Sequence, residues 1–255
     1  VIAVPDPNVL VARACQPLPV EFVVRGYLTG SLWRDYQAGR GAEAYGLALP
    51  RGLRKDQRFD IPLITPTTKA EQGQHDAPIS RTEIIARGMV PEPLLELAYA
   101  RSLALFERGQ QWAARRGLIL VDTKYEFGLA GGELLVIDEI HTMDSSRFWE
   151  AEGYAERFER GLDQRMLDKE NVRQWLLRER GYSGEGAPPT LPDEVRVETA
   201  EVYVRAFERI TGQAFVSAVG DVAGRIARNL EAAGYLTSGA RPASRPSDEL
   251  GSPGS

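Results

Sequence analysis

Three charged residues at alternate positions, Asp122, Lys124 and Glu126, open the most informative stretch of this chain, DTKYEFGLAGGELLVIDEIHTMDSSRFW at 122–149. Side chains on a strand alternate between faces, so these three share one face. Beyond Gly131-Gly132 the apolar run 134–137 ends in Asp138-Glu139, and the loop after it carries Asp144 and Arg147. Carboxylates grouped in this way suit a hard cation such as magnesium, which takes oxygen ligands and usually shares them with substrate phosphates. The competing reading is a solvated polar face on an ordinary hairpin, and it sits badly with strands this apolar.

The hairpin must bring its acids together for that chemistry. Glu126 and Asp138 point to one side only if paired residue numbers sum to an even value. A two-residue turn at Gly131-Gly132 pairs 130 with 133 and separates them. The metal reading therefore expects a loop of three or five residues, or a compensating bulge.

Basic and hydroxyl residues recur elsewhere in turn-like contexts: Arg25 with Ser31, Lys69 among threonines, Ser145-Ser146-Arg147, and Lys169 with Arg173. Arginine forks and hydroxyls give directed, charge-assisted hydrogen bonds to oxyanions. Lys169 and Arg173 are four apart and would share a helix face. Each taken singly is matched by a solvated surface charge.

These groups need a scaffold, and 255 residues can bury one large core or two intimate lobes. A net charge of −5 argues against a dedicated nucleic-acid binder. One cysteine, Cys15, excludes an internal disulfide framework and suits a reducing, cytoplasmic setting. Two histidines, His75 and His141, beside one cysteine argue against a structural zinc site of Cys and His type, and no apolar run approaches the length of a membrane span.

The pattern predicts short β-runs and turns over 1–36, a surface excursion over 39–60, and an ordered loop through the prolines of IPLITPTTKAEQGQHDAPIS. A helix is expected over 92–116, ended by Gly117. The hairpin follows, then helices over 168–180, 194–210 and 216–233. Residues 241–255 hold almost no apolar residues and are expected to be disordered. The division expected is a β-rich part with substrate loops at 1–85, an α/β catalytic part at 86–240, and the tail. The chain opens at Val1 on VIAVPDPNVLVARA, which reads as the interior of a sheet, so an upstream segment is expected.

RGYLTGS at 25–31, ITPTTKAE at 64–71, HDAPIS at 75–80, DTKYEFG at 122–128, DEIHTMDSSRFW at 138–149 and LDKENVRQWL at 167–176 occur in this order. Together they closely resemble the SAICAR synthetase family, phosphoribosylaminoimidazole-succinocarboxamide synthases, over nearly the whole chain. The resemblance implies an α+β fold of antiparallel sheets with a helical C-terminal part. It also implies ATP-dependent joining of L-aspartate to the carboxylate of carboxyaminoimidazole ribotide. By position it implies magnesium on Glu126 and Asp138, and ribotide on Arg25, Ser31, Arg147, Lys169 and Arg173. Lys69, Asp76, Asp122 and Lys124 match active-site positions, with Lys124 placed to neutralise the transferring phosphoryl group and Asp76 a candidate base for the aspartate amine.

Two departures from the family pattern stand out. No glycine-rich hairpin with a Gly-Lys pair precedes these motifs, and Met143 stands where a proline is usual. The missing nucleotide cover keeps open a non-catalytic ribotide-binding fragment. A magnesium hairpin alone would also serve an ATP-dependent small-molecule kinase.

Overall fold

The structure, a computed structural model, describes residues 1–40, 43–69, 76–167, 170–182 and 186–237 and, within 170–182, the side chains of 172 and 175–182. The expected tail, His75 and Lys169 lie outside the described residues, as does the side chain of Arg173. The chain divides into two compact units, one of Cys15–Phe215 and one of Val1–Ala14 with the stretch from Val216 onward.

The larger unit is built on a six-stranded sheet of β3 (Gln16–Pro17), β4 (Val20–Tyr27), β5 (Arg58–Thr68), β6 (Leu118–Ala130), β7 (Glu133–Ile137) and β8 (Ser146–Glu150). Every pairing is antiparallel. The long strand β6 organises it: β4 and β3 pair along one edge, and β8 and β7 divide the other. Lys124 falls between the last β8 partner, Thr123, and the first β7 partner, Glu126. Its amide donates to Ser145 O at 2.9 Å, so the β7–β8 connection docks at that point.

One face of this sheet is the core. Phe22 and Val24 of β4, and Tyr125 and Phe127 of β6, pack against α3 (Glu92–Ala114) through Leu95, Ala98, Phe106 and Ala113, all buried. Phe22 meets Tyr99 and Phe127 edge-on at 5.7 and 5.4 Å. Burial of each such side chain is worth about 1.5–3 kcal/mol. The helix opens behind Pro91, its N-cap, with Pro93 in the first turn, where its fixed φ suits the helix and no amide is missed. It is followed by Gly117 at φ +66°, matching the expected stop. The other helices of this unit are α1 (Gly30–Gln37), α2 (Arg81–Ala86), α4 (Tyr154–Glu159), α5 (Glu170–Arg180) and α6 (Asp193–Thr211).

Several expectations need correction. The stretch IPLITPTT is not a loop but most of β5. Its prolines are tolerated because β5 ends the sheet, with only the short bridge from Thr67 to Pro78 on its outer side among the described residues. There Pro66 O accepts from Ile79 N at 3.1 Å and no donor is asked of the Pro66 nitrogen; Pro66 sits opposite Phe22 in full register. Residues 30–37 form α1 rather than turns, so Ser31 lies in a first helical turn. Arg147 lies on β8, not in a loop. The 39–60 excursion is partly internal, since Tyr45 is buried with Leu28 and Leu32.

In the smaller unit, β1 (Ala3–Asp6) and β2 (Val9–Val11) form a hairpin beside α7 (Val222–Ala232). This helix starts at Val222, six residues later than expected, where Asp221 accepts from Gly224 N at 2.9 Å. The Asp6 carboxylate is fully enclosed and receives Arg225 Nε at 3.0 Å and Asn229 Nδ2 at 2.7 Å.

Candidate active site

The sheet face opposite the core carries the charged residues singled out from the sequence. Register places Arg25 opposite Asp122 and Val23 opposite Lys124, while Thr65 of β5 opposes Val23 and Arg147 of β8 opposes Asp122. Alternation then sets Glu21, Arg25, Thr65, Thr67, Asp122, Lys124, Glu126 and Arg147 on one surface. Asp122 and Glu126 are four residues apart, so this surface has two ends separated by about 13 Å.

At the first end two guanidinium groups converge on one carboxylate. Arg147 NH1 donates to Asp122 Oδ2 at 3.0 Å, and Arg25 NH1 lies 3.5 Å from the same oxygen. Arg25 is buried and further fixed by Nε to Thr65 Oγ1 at 2.8 Å and NH2 to Ser31 Oγ at 3.2 Å. The Arg147 side chain is 30% exposed against 7% for Arg25, so it is the fork that solvent can reach. It lies against Gly30, where a Cβ would come within 2.7 Å of NH1. Gly30 also holds φ +60°, which glycine adopts without strain. Two positive groups against one negative leave this end with an excess of positive charge, the kind of surface that suits an anion.

The second end gathers carboxylates around lysines. Lys124 Nζ lies 2.8 Å from Glu126 Oε1, 3.0 Å from Glu21 Oε1 and 3.6 Å from Asp138 Oδ2. Lys69 pairs with the other Glu126 oxygen. Burial would raise the Glu126 carboxyl, but hydrogen bonds from Lys124 and Lys69 outweigh it and hold it down at about 2. Burial also pushes Glu21 up, and Lys124 offsets this only in part. Asp76, exposed, is near enough to add its charge to that upward shift. Three carboxylates against two ammonium groups leave one negative charge, facing solvent through Asp138, Lys124 and Lys69, which are 45%, 33% and 42% exposed.

The hairpin reaches this arrangement by an unexpected route. Its turn is the two-residue one: Gly131 and Gly132 have φ +60° and +81°, Ala130 pairs with Glu133, and Glu126 pairs with Ile137. No longer loop is present. Instead β7 stops at Ile137, and Asp138 takes φ +64°, a left-handed turn that ends the strand's alternation. Its carboxylate still reaches the lysine that holds Glu126.

Beyond Asp138 the connection is pinned from several sides. Thr142 N donates to Ser145 Oγ and Ser145 N to Thr142 Oγ1, both at 3.2 Å. His141, at φ +56°, has Nε2 2.6 Å from Tyr125 OH and lies against Gly109 of α3. Burial lowers its pKa to about 4, so the ring is neutral. Met143, in place of the family's usual proline, is buried against Val202 and Ala206 of α6. Asp144, grouped with the cation ligands on sequence grounds, accepts from Tyr203 OH at 3.0 Å.

The structure thus brings together Arg25, Ser31, Asp122 and Arg147 at one end and Lys69, Lys124, Glu126 and Asp138 at the other. Glu21, Thr65 and Thr67 escaped the sequence reading. Glu21 had a signal, its even spacing from Arg25 on a strand. Among the described residues, no three acidic, histidine or cysteine side chains form a metal-ligand group. Nor is any helix among them long and apolar enough to cross a membrane.

A profile described as SAICAR synthetase matches residues 1–189. The phosphoribosylaminoimidazole-succinocarboxamide synthase of Bacteroides fragilis is 48% identical over 234 residues, covering 91% of this chain and 74% of that protein. The structure of SAICAR-synthase from Saccharomyces cerevisiae complexed with SAICAR superposes with a TM-score of 0.66 at 32% identity, covering 80% of this chain and 64% of that one. A type-2 SAICAR synthetase in complex with ADP gives 0.55 at 25%, covering 80% and 67%. This chain therefore spans about two thirds to three quarters of the proteins it matches.

Proposed function

This chain belongs to the SAICAR synthetase family, and from that premise we propose that it joins L-aspartate to the carboxylate of carboxyaminoimidazole ribotide in purine biosynthesis, with ATP converted to ADP and phosphate. The observation that carries the reading is the division of one sheet face into an anion end and a carboxylate–lysine end. A ribotide has a phosphate to anchor and, at its far side, a carboxylate to activate.

A carboxylate is a poor acyl donor, so ATP's terminal phosphoryl group is first transferred to its oxygen and ADP departs. The aspartate amine then attacks the acyl carbon; the C–N bond forms, the C–O bond to phosphate breaks, and the nitrogen gives up a proton. Phosphoryl transfer asks for positioning and charge neutralisation more than for protein nucleophiles. Lys124 and Lys69, both paired with Glu126, supply positive charge to the transferring phosphoryl group in this reading. Asp122 orients both arginines on the ribotide phosphate rather than touching the reacting atoms. Asp76 is the candidate acceptor for the amine proton, on motif position and its place beside Glu21. Lys169 and Arg173 are assigned to the ribotide on their motif alone.

Magnesium fits this donor set. The carboxylates are in excess over the ammonium groups, and the ion commonly takes one or two protein carboxylates with the rest from water and phosphate. Glu126 and Asp138 would hold it, and it would neutralise charge on the ATP phosphates.

The test is formation of the succinocarboxamide by the purified chain from ATP, ribotide and aspartate. Product that requires all three supports ligation. ADP release that ignores aspartate and follows an added alcohol would overturn it in favour of a kinase.

A further inference from the structure

Asp138 is the half of the metal pair that packing does not hold. Its side chain is 45% exposed, it stands one residue past the end of β7, and it takes φ +64°. Among the described residues three non-glycine residues have positive φ, and two of them, Asp138 and His141, bracket one short turn. Such strain persists where surrounding contacts over-determine it. His141 is anchored by its ring, 2.6 Å from Tyr125 OH. The Asp138 end of the turn needs a tie of its own, because the ion pair with Lys124 spans 3.6 Å.

Thr142 supplies it. Its Oγ1 donates to Glu139 Oε2 at 2.5 Å, which closes the turn from side chain to side chain right beside Asp138. A carboxylate only accepts, so the Thr142 proton goes to Glu139 and the oxygen lone pairs take the amides of Asp144 and Ser145, both at 3.2 Å. From there the bonding runs inward. Ser145 Oγ accepts from Thr142 N at 3.2 Å and lies 3.2 Å from Ser146 Oγ, which is 2.7 Å from Thr123 Oγ1 on β6. Thr123, Ser145 and Ser146 are all buried. The turn that carries Asp138 is thereby tied to the strand that carries Lys124 and Glu126.

We infer that Thr142 is a positioning residue for the metal: by holding Glu139 it fixes the left-handed turn at Asp138 and keeps that carboxylate within reach of an ion shared with Glu126. Groups that orient a metal ligand from behind set its affinity although they never touch the ion. Glu139 acts here as the acceptor of Thr142 and not as a ligand itself. This rests on the ligase reading above, but only through its metal end.

Calorimetry with ADP, in magnesium and again in chelator, reads that end without any turnover; the quantity is the gain in ADP affinity that magnesium gives. Thr142→Val removes the hydroxyl, Thr142→Ser keeps it, and Glu139→Gln keeps an acceptor without the charge. Thr142→Val is expected to cut the gain about tenfold, with ADP affinity in chelator within about twofold of wild type. Thr142→Ser and Glu139→Gln should each keep most of the gain. A folded Thr142→Val with the full gain, or Thr142→Ser as poor as Thr142→Val, would overturn the assignment. Loss of the gain in Glu139→Gln would make Glu139 a ligand in its own right and overturn it too. If Thr142→Val does not fold, Glu139→Ala decides: it should lose the gain that Glu139→Gln keeps, and an unchanged gain overturns the role. A wild-type chain whose ADP affinity does not rise with magnesium removes the metal end and this role with it. Wild-type protein that shows the gain in this pattern yet forms no succinocarboxamide would refute the ligase reading and leave Thr142 in its role.

Discussion

Glu126 and Asp138 share a single ammonium, Lys124 Nζ, at 2.8 and 3.6 Å, although strand register opposes Glu126 to Ile137. The left-handed turn at Asp138 resolves the conflict. Asn accepts that conformation better than most residues and carries no charge. Asp138→Asn should therefore keep the melting temperature within about 2 °C while reducing magnesium-dependent turnover at least tenfold. Asp138→Val adds about 1–3 kcal/mol of backbone strain and should lower stability too. Thermal melts beside turnover assays separate the two; full activity in Asp138→Asn would remove Asp138 from the metal site.

Arg147→Lys preserves charge but not the fork that meets Asp122 while leaving donors for an anion. Ribotide affinity should fall about tenfold, the order expected for a lost charge-assisted hydrogen bond. Gly30→Ala attacks the same end from below, through contact with NH1 and φ +60°, and should raise the ribotide KM more than the ATP KM. Unchanged ribotide binding in Arg147→Lys would sink this role.

In an exposed helix interior, glycine to alanine stabilises by about 1 kcal/mol. Gly109 should show the reverse sign. A Cβ there would lie 2.5 Å from His141 Cε1 and 2.7 Å from Leu120 Cδ2. Gly109→Ala is expected to destabilise by about 1–3 kcal/mol through overpacking, and to loosen the connection carrying Asp138. Urea denaturation checks the sign directly.

His141 makes stability depend on acid. Burial lowers its folded-state pKa to about 4 from the ordinary 6.5. Between those values the unfolded chain binds the proton and the folded one does not, so stability is lost as pH falls through that window. His141→Asn, compatible with φ +56°, should flatten the slope between pH 6.5 and 4. Denaturation midpoints for both proteins at pH 7 and 5 measure it, and parallel losses would show that His141 is not responsible.

The hairpin was legible because glycines and alternating charges state a strand pair almost directly, and α3 because its apolar spacing is long. β5 was hidden by prolines that an edge strand can carry. α1 was hidden because it opens with Gly30-Ser31 behind an apolar strand, where a turn is the simpler reading. Residues within one motif could be grouped from the sequence; Glu21 was not, because its partner Lys124 is over a hundred positions away and only sheet register unites them. The outcome at Asp138 was mixed. Parity correctly identified a conflict, but a single backbone torsion resolved it, and torsions leave little trace in residue type.

Asp6 has its own consequence for the order of synthesis. Its enclosed carboxylate takes donors from Arg225 and Asn229, 219 and 223 positions later. A ribosome emits the β1–β2 hairpin long before either donor exists, and an unpaired carboxylate resists enclosure. That hairpin therefore waits, solvated, while the more than two hundred residues up to Arg225 are made. The Cys15–Phe215 unit is contiguous and can fold as it emerges. Assembly of the smaller unit comes after that, and it reports that the nascent chain has been read through to α7.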